Sequence, residues 1–134
     1  MTPGIASNLT PVRMVPDFSI GRRASLAQFP EVAVLLHQFK WKKEVIESAE
    51  PVLVDFWAAW CGPCRSMNPS IENLARDFKV CKVNIDTNQE LATRYGISSI
   101  PALLIFNRGK IVARHVGVTP KNTLRAEMES AGRS

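Results

Sequence analysis

Two cysteines separated by two residues stand where a predicted buried strand passes into a predicted amphipathic helix. The preceding run, residues 52–57, is rich in β-branched and aromatic side chains, which is typical of a strand buried on both faces. From Cys64 onward the apolar residues recur at helical spacing, at Cys64, Met67, Ile71, Leu74, Ala75 and Phe78. Cys61 therefore stands at a helix start, where free N–H groups and the helix dipole favour a thiolate.

A cysteine pair at this spacing can serve a metal, a structural disulfide or redox chemistry. Structural zinc usually takes about four ligands, and Cys81, His37 and His115 do not form a second ligand pair. A structural disulfide would close a loop too short to constrain the unfolded chain much. A C-x-x-C beside a strand–helix–strand pattern is typical of thiol–disulfide exchange, so we favour redox chemistry and expect no metal.

The position of each thiol along the predicted helix assigns the two roles. Cys61 lies at the junction of loop and helix, where we expect it to be open to solvent and to act as the nucleophile. Cys64 lies one turn inside, on the apolar stripe, so we expect it to be buried and to resolve a mixed disulfide. Trp60 directly precedes Cys61 and is predicted to belong to an exposed docking surface.

Asp55 places a carboxylate inside the apolar strand, where burial is costly unless the group is paired or protonated. One interpretation is an internal ion pair with Lys82 on a neighbouring strand. The other is a proton acceptor for Cys64 whose pKa is raised by burial. The residues alone leave both interpretations open.

The bulk composition predicts one soluble globular domain. The chain has 134 residues, 46% hydrophobic and 22% charged, and no apolar run approaches the roughly 18 residues of a membrane span. Its three cysteines are too few for a disulfide scaffold and suit a reducing compartment. The net charge of +5 is spread along the chain, so we expect it to steer acidic partner proteins and do not expect nucleic-acid binding.

Residues 1–30 differ from the rest of the chain. They contain four prolines, three arginines, no lysine and a single acid, and their apolar residues show no sustained period. They are predicted to be an N-terminal extension, either a disordered tail or an organellar transit peptide. The expected location is accordingly the cytoplasm, or an organelle matrix if the extension is a transit peptide.

Residues 31–134 alternate predicted strands and helices and end in a hairpin and a helix. This order predicts an α/β domain whose mixed sheet is covered on both faces. The predicted strands are residues 32–36, 52–57, 80–85, 102–106 and 110–116. The predicted helices are residues 39–49, 61–78 and 88–95, the last capped by Asp86 or Thr87, and a final helix with Thr119 as N-cap and Pro120 as first residue.

The segment Trp-Ala-Ala-Trp-Cys-Gly-Pro-Cys-Arg, residues 57–65, resembles the active-site segment of thioredoxins. Further segments resemble the same family in the same order: residues 82–86, 95–97, 100–102, 107–110 and 116–117. The resemblance covers about residues 32–130. It implies a thioredoxin fold, with a central five-stranded mixed sheet flanked by about four helices.

The resemblance also implies a function. It predicts a thiol–disulfide oxidoreductase that reduces protein disulfides, with no bound cofactor, a redox-active Cys61–Cys64 disulfide, and electrons from NADPH through thioredoxin reductase. The expected partners are that reductase and disulfide-containing proteins, and the expected state is a monomer. Gly62 and Pro63 resemble the reducing members of the superfamily, which disfavours an isomerase or oxidant. A binding subunit of a larger assembly, which would not need the cysteines, is the other alternative.

By the same resemblance, Asp55 is the proton acceptor, modulated by Lys82. Pro101 is implied to be a cis-proline opposite the cysteines, with Ile100 offering backbone groups to an extended substrate. Gly117 would leave room for the partner chain. Together with Trp60, Gly62 and Pro63, these residues form the expected substrate-binding surface.

Overall fold

The computed structural model describes the backbone of Met14–Val15 and residues 40–133. In this part of the chain, five strands form one sheet in the order β1-β3-β2-β4-β5. The strands are β1 Met14–Val15, β2 Val52–Trp57, β3 Lys79–Asn84, β4 Ala102–Asn107 and β5 Lys110–Val116. β3 runs parallel to β1 and β2, whereas β4 runs antiparallel to β2 and β5. The predicted mixed sheet is confirmed, and β2 to β5 correspond to four of its five predicted strands.

The edge strand β1 was not predicted from the sequence. Met14 and Val15 pair with Val80 and Cys81 of β3, within the stretch that was predicted to be an extension. The strand predicted for residues 32–36 lies outside the described residues.

Three α-helices and one π-helical segment accompany the sheet in the described residues. The helices are α1 Gly62–Ala75, α2 Gln89–Arg94 and α3 Lys121–Gly132, and the π-helical segment is Lys42–Ile46. Where the sequence predicted a helix over residues 39–49, the π-helical segment is shorter. Among these residues no helix is long and apolar enough to cross a bilayer.

Two helix starts differ from the prediction by one residue. α2 has Asn88 as its N-cap, and the Asp86 carboxylate, one of the two expected caps, accepts from the Trp60 indole at 3.0 Å. α3 has Pro120 as its N-cap, one residue later than expected. The hydroxyl of Thr119 instead donates to the carbonyl of Gly117 at 3.0 Å.

The two faces of the sheet bury separate cores. On one face the π-helical segment and α2 cover the sheet, and four aromatic rings pack together there, Trp41, Phe56, Tyr95 and Phe106. On the other face, apolar residues of α1 and α3 pack on the sheet; this core contains Leu53, Met67, Ile71, Leu74, Leu103, Leu124 and Met128. Because side chains alternate along a strand, Asp55 and Trp57 share the face of Leu53. Asp55 therefore lies on the side of the sheet that α1 covers.

Candidate active site

The site begins where β2 ends and α1 starts. Cys61 is the N-cap of α1, and it is joined to Cys64 in a disulfide with the two Cα atoms 5.3 Å apart. The backbone N–H of Cys64 donates to the Cys61 sulfur at 3.1 Å. A helix N-terminus with an N–H aimed at this sulfur stabilises negative charge there once the disulfide is reduced.

The expected difference in solvent exposure between the two cysteines is wrong. Cys61 is only 3% exposed and Cys64 2%, because both belong to a buried cluster against which Trp57, Ile85 and Ile100 pack. The two cysteines differ in whether a partner can reach them from the protein surface. Cys61 lines a surface groove, and Cys64 does not.

This groove, which we call the active-site groove, has a volume of about 480 Å³. It is lined by residues 60–63, by residues 97–100 and by Ile85. Trp60, Gly62 and Pro63 were predicted to bind substrate, and the structure places all three here. Ile85, Ile97, Ser98 and Ser99 were missed, although residues 97–99 lead directly into the predicted Ile100–Pro101 segment.

The Ile100–Pro101 peptide bond is cis, as the resemblance implies. The carbonyl oxygen of Ile100 lies 3.8 Å from the Cys61 sulfur, so this backbone segment faces the disulfide across the active-site groove. The N–H of Gly117 donates to the carbonyl of Pro101 at 2.7 Å. Gly117 has a φ of +95°, which favours glycine, and a Cβ at this position would meet open space.

Trp60 is the most exposed large apolar side chain of the site. Its relative exposure is 66%, and its indole N–H donates to the carboxylate of Asp86 at 3.0 Å. The hydrogen bond fixes the direction of the ring without burying it. An aromatic face held in this way at the end of a groove suits contact with a partner protein.

Asp55 is 1% exposed and lies under α1. Its neighbours in register are Lys82 on β3 and Leu103 on β4. Burial raises the pKa of the Asp55 carboxyl from 3.8 to about 6, and the positive charge of Lys82 opposes part of this rise. Neither carboxylate oxygen has a hydrogen-bond partner among the described residues. The carboxyl can therefore exchange a proton at pH values near neutrality.

The Lys82 ammonium does not form the ion pair with Asp55 that one of the two interpretations of the sequence required. Its Nζ donates to Oδ1 of Asn68 on α1 at 3.2 Å, and it lies 4.7 Å from the centroid of the Trp57 ring. Asn68 was not predicted, because nothing in its local sequence marks it as a partner of a residue on β3.

Over the portion of the chain that the structure describes, no group of three or more histidine, cysteine or acidic residues could hold a metal ion. The groups of the site that can carry chemistry are the two sulfurs of the disulfide and the buried Asp55 carboxyl.

Comparisons with known proteins agree with this geometry. Residues 32–130 match the protein-family model described as Thioredoxin. Thioredoxin 1 of Synechococcus elongatus is 50% identical over 97 residues, which cover 69% of this chain and 91% of that relative. A chloroplastic thioredoxin of Arabidopsis thaliana is 41% identical over 117 residues, covering 81% of this chain and 61% of the relative. The solved structure of a mutant thioredoxin from Halobacterium salinarum aligns with a TM-score of 0.62 at 38% identity, covering 66% of this chain and 80% of that one.

Proposed function

The chain belongs to the thioredoxin family and is a thiol–disulfide oxidoreductase, and from that premise we propose how its residues divide the reduction of a protein disulfide. Cys61 is the attacking thiol and Cys64 is the resolving thiol. The observation that carries this assignment is the access to the two sulfurs. Cys61 lines the active-site groove and accepts the N–H of Cys64, whereas Cys64 lies behind it in the first turn of α1.

The proposed reaction has two exchange steps. The Cys61 thiolate attacks one sulfur of the substrate disulfide, forming a mixed disulfide and releasing the other substrate sulfur as a thiolate. The Cys64 thiolate then attacks the Cys61 sulfur. This step forms the Cys61–Cys64 disulfide and releases the second substrate thiolate. Two electrons pass to the substrate, whose two sulfurs take up the two protons that the dithiol gives up.

We assign to Asp55 the role of accepting the Cys64 proton before the second step. Asp55 lies on the sheet face that α1 covers, and its pKa of about 6 lets it take up a proton near neutral pH. Its oxygens are without other hydrogen-bond partners in the described region, so the carboxylate is available as a base.

We place an extended substrate segment in the active-site groove. The carbonyl of Ile100, next to the cis-proline Pro101, is 3.8 Å from the Cys61 sulfur and offers a backbone acceptor beside the reacting atom. Trp60, Gly62 and Pro63 line the same groove. The open space beside Gly117 leaves room for the partner chain to continue past Pro101.

The electron donor and the compartment are further parts of the proposal. We infer that a thioredoxin reductase, using NADPH, returns electrons to the Cys61–Cys64 disulfide, and that the protein acts as a monomer in the cytoplasm or an organelle matrix. The chloroplastic relative supports the organelle alternative. Insulin reduction with thioredoxin reductase and NADPH, compared with glutathione, tests the donor. A fluorescent fusion of the full chain, compared with one lacking residues 1–30, tests the location.

Intact mass after mixing each cysteine variant with an oxidised peptide tests the assignment of the thiols. Cys64→Ser is expected to attack and stall, accumulating a covalent adduct that external dithiol removes. Cys61→Ser is expected to form little adduct and to show almost no reductase activity. Equal trapping by the two variants would refute the assignment, and Cys81→Ser serves as a control at a buried cysteine outside the groove.

A further inference from the structure

Asn68 connects the helix that carries the cysteines to the cation beside the buried carboxyl. It lies on α1 one turn after Cys64, and its Oδ1 accepts a hydrogen bond from Lys82 Nζ at 3.2 Å. The same ammonium lies 4.7 Å from the centroid of the Trp57 ring. The Lys82 side chain is therefore held at its tip by an amide acceptor and by an aromatic face.

Lys82 is also the cation closest in sheet register to Asp55, because the two residues are paired neighbours on β2 and β3. The elements packed on this face also carry Arg125 of α3, which donates to Asn73 of α1 at 3.0 Å, and His115 of β5, which is bonded to Glu127 of α3 at 2.7 Å. Leu103 separates His115 from Asp55 in the sheet. The Lys82 charge is thus the one most able to change the protonation of Asp55.

We propose that Asn68 is a positioning residue, which holds the Lys82 ammonium out of a direct ion pair with Asp55 and so keeps that carboxyl able to accept the Cys64 proton. A hydrogen-bonded ion pair would stabilise the carboxylate and make it a weaker base. The Asn68 amide prevents this by competing for the same ammonium. This inference rests on the proposed role of Asp55.

Two substitutions at Asn68 have expected effects of opposite sign. Asn68→Ala removes the acceptor, so that Lys82 turns to the unbonded oxygens of Asp55 and lowers the titration midpoint of Asp55 by about one pH unit. Asn68→Asp keeps the acceptor and adds a negative charge beside Lys82, which raises the midpoint. Loss of helix stability alone would not produce opposite shifts.

The midpoint is measured by carboxyl-carbon NMR of Asp55 in the oxidised full-length protein, where Cys61 and Cys64 are joined and do not titrate. Turnover against pH in the reductase assay provides the second readout, and its acidic limb should move in the same direction as the NMR midpoint. The matched control is Asn73→Ala. Asn73 lies on the same helix, and its Oδ1 accepts a hydrogen bond from the guanidinium of Arg125 at 3.0 Å. Arg125 belongs to α3, whereas Lys82 belongs to β3. This control should leave both readouts unchanged.

The outcomes separate this inference from the proposed function. If Asn68→Ala titrates like the wild type, or with a raised midpoint, while Asp55→Asn still slows turnover, Asn68 does not position Lys82 and the role of Asp55 stands. If Asp55→Asn leaves turnover unchanged at every pH, the role of Asp55 fails and the inference fails with it. The inference is established if the two Asn68 variants shift the Asp55 midpoint in opposite directions. Their effects on the pH dependence of turnover must also disappear in an Asp55→Asn background.

Discussion

Replacing Asp55 with asparagine is expected to change how the stability of the oxidised protein depends on pH. Burial raises the pKa of this carboxyl from 3.8 to about 6, so the folded protein binds the proton more tightly than the unfolded chain does. Ionisation of Asp55 therefore costs the folded state free energy. The cost is absent below 3.8, grows between 3.8 and about 6, and is fully present at higher pH.

The size of this cost follows from the two pKa values. At about 1.4 kcal/mol for each pKa unit, the difference between 3.8 and about 6 corresponds to about 3 kcal/mol. The asparagine amide must also be buried, and an imperfectly bonded amide costs about 1–3 kcal/mol at every pH. The expectation therefore concerns how the free energy of unfolding, relative to wild type, changes between two pH values. The free energy of unfolding of the variant relative to wild type should rise by about 3 kcal/mol from about pH 3.5 to about pH 7.

Urea unfolding of the oxidised proteins, followed by tryptophan fluorescence across this pH range, measures the difference. Glu129→Gln, which neutralises an exposed carboxylate on α3, is the matched control and should show almost no pH-dependent change. Parallel stability curves for wild type and Asp55→Asn would refute the argument, because they would show that folding does not perturb this carboxyl. The same variant should turn over more slowly at neutral pH, since Cys64 loses its proton acceptor.

Two further predictions concern the surface and the sheet edge. Trp60→Ala should raise KM for protein disulfides, with about a tenfold loss of kcat/KM, because an exposed interface aromatic typically contributes more than about 1 kcal/mol. Its melting temperature should stay unchanged because the ring is 66% exposed, and a tenfold loss with KM unchanged would contradict the docking role. Deleting residues 1–30 removes β1 and should lower the free energy of unfolding by about 1–2 kcal/mol, through the lost backbone pairing with β3. Deleting residues 1–10 spares β1 and should not. Equal stability of both truncations would show that β1 contributes nothing and that residues 31–134 form the complete domain.

Elements set by local pattern were predicted closely. The bounds of β2 and β5 agree with the prediction, because Pro51 precedes β2 and Gly109 and Gly117 flank β5. The start of α1 at the cysteine pair follows equally from the change of period. By contrast, β1 has only two residues, and its pairing with β3 joins positions far apart in the chain. No local period marks a strand of that length.

The contacts that shape the site depend on how the elements pack, which the local pattern does not contain. The hydrogen bond from Lys82 to Asn68 requires α1 to lie over β3 with one particular turn facing the sheet. The near-complete burial of Cys61 depends on the Ile100 segment, which approaches from a distant part of the sequence. The position of Cys61 at the helix start was predicted correctly, whereas no local pattern indicates that the Ile100 segment packs against it.

Asp55 shows why a conflict with local pattern is informative about function. A carboxylate in the middle of β2 breaks the apolar run that otherwise defines that strand, and the structure gives its oxygens no hydrogen-bond partner within the described region. An apolar residue at this position would continue the core of Leu53 and Leu103 without the cost of about 3 kcal/mol worked out above. The free energy of unfolding of a domain is typically about 5–15 kcal/mol, so this cost is about one fifth of it or more. The same burial that destabilises the folded protein brings the pKa near neutrality. The destabilisation and the proposed capacity to accept the Cys64 proton thus have one physical origin, and a variant that removes the first is expected to lose the second.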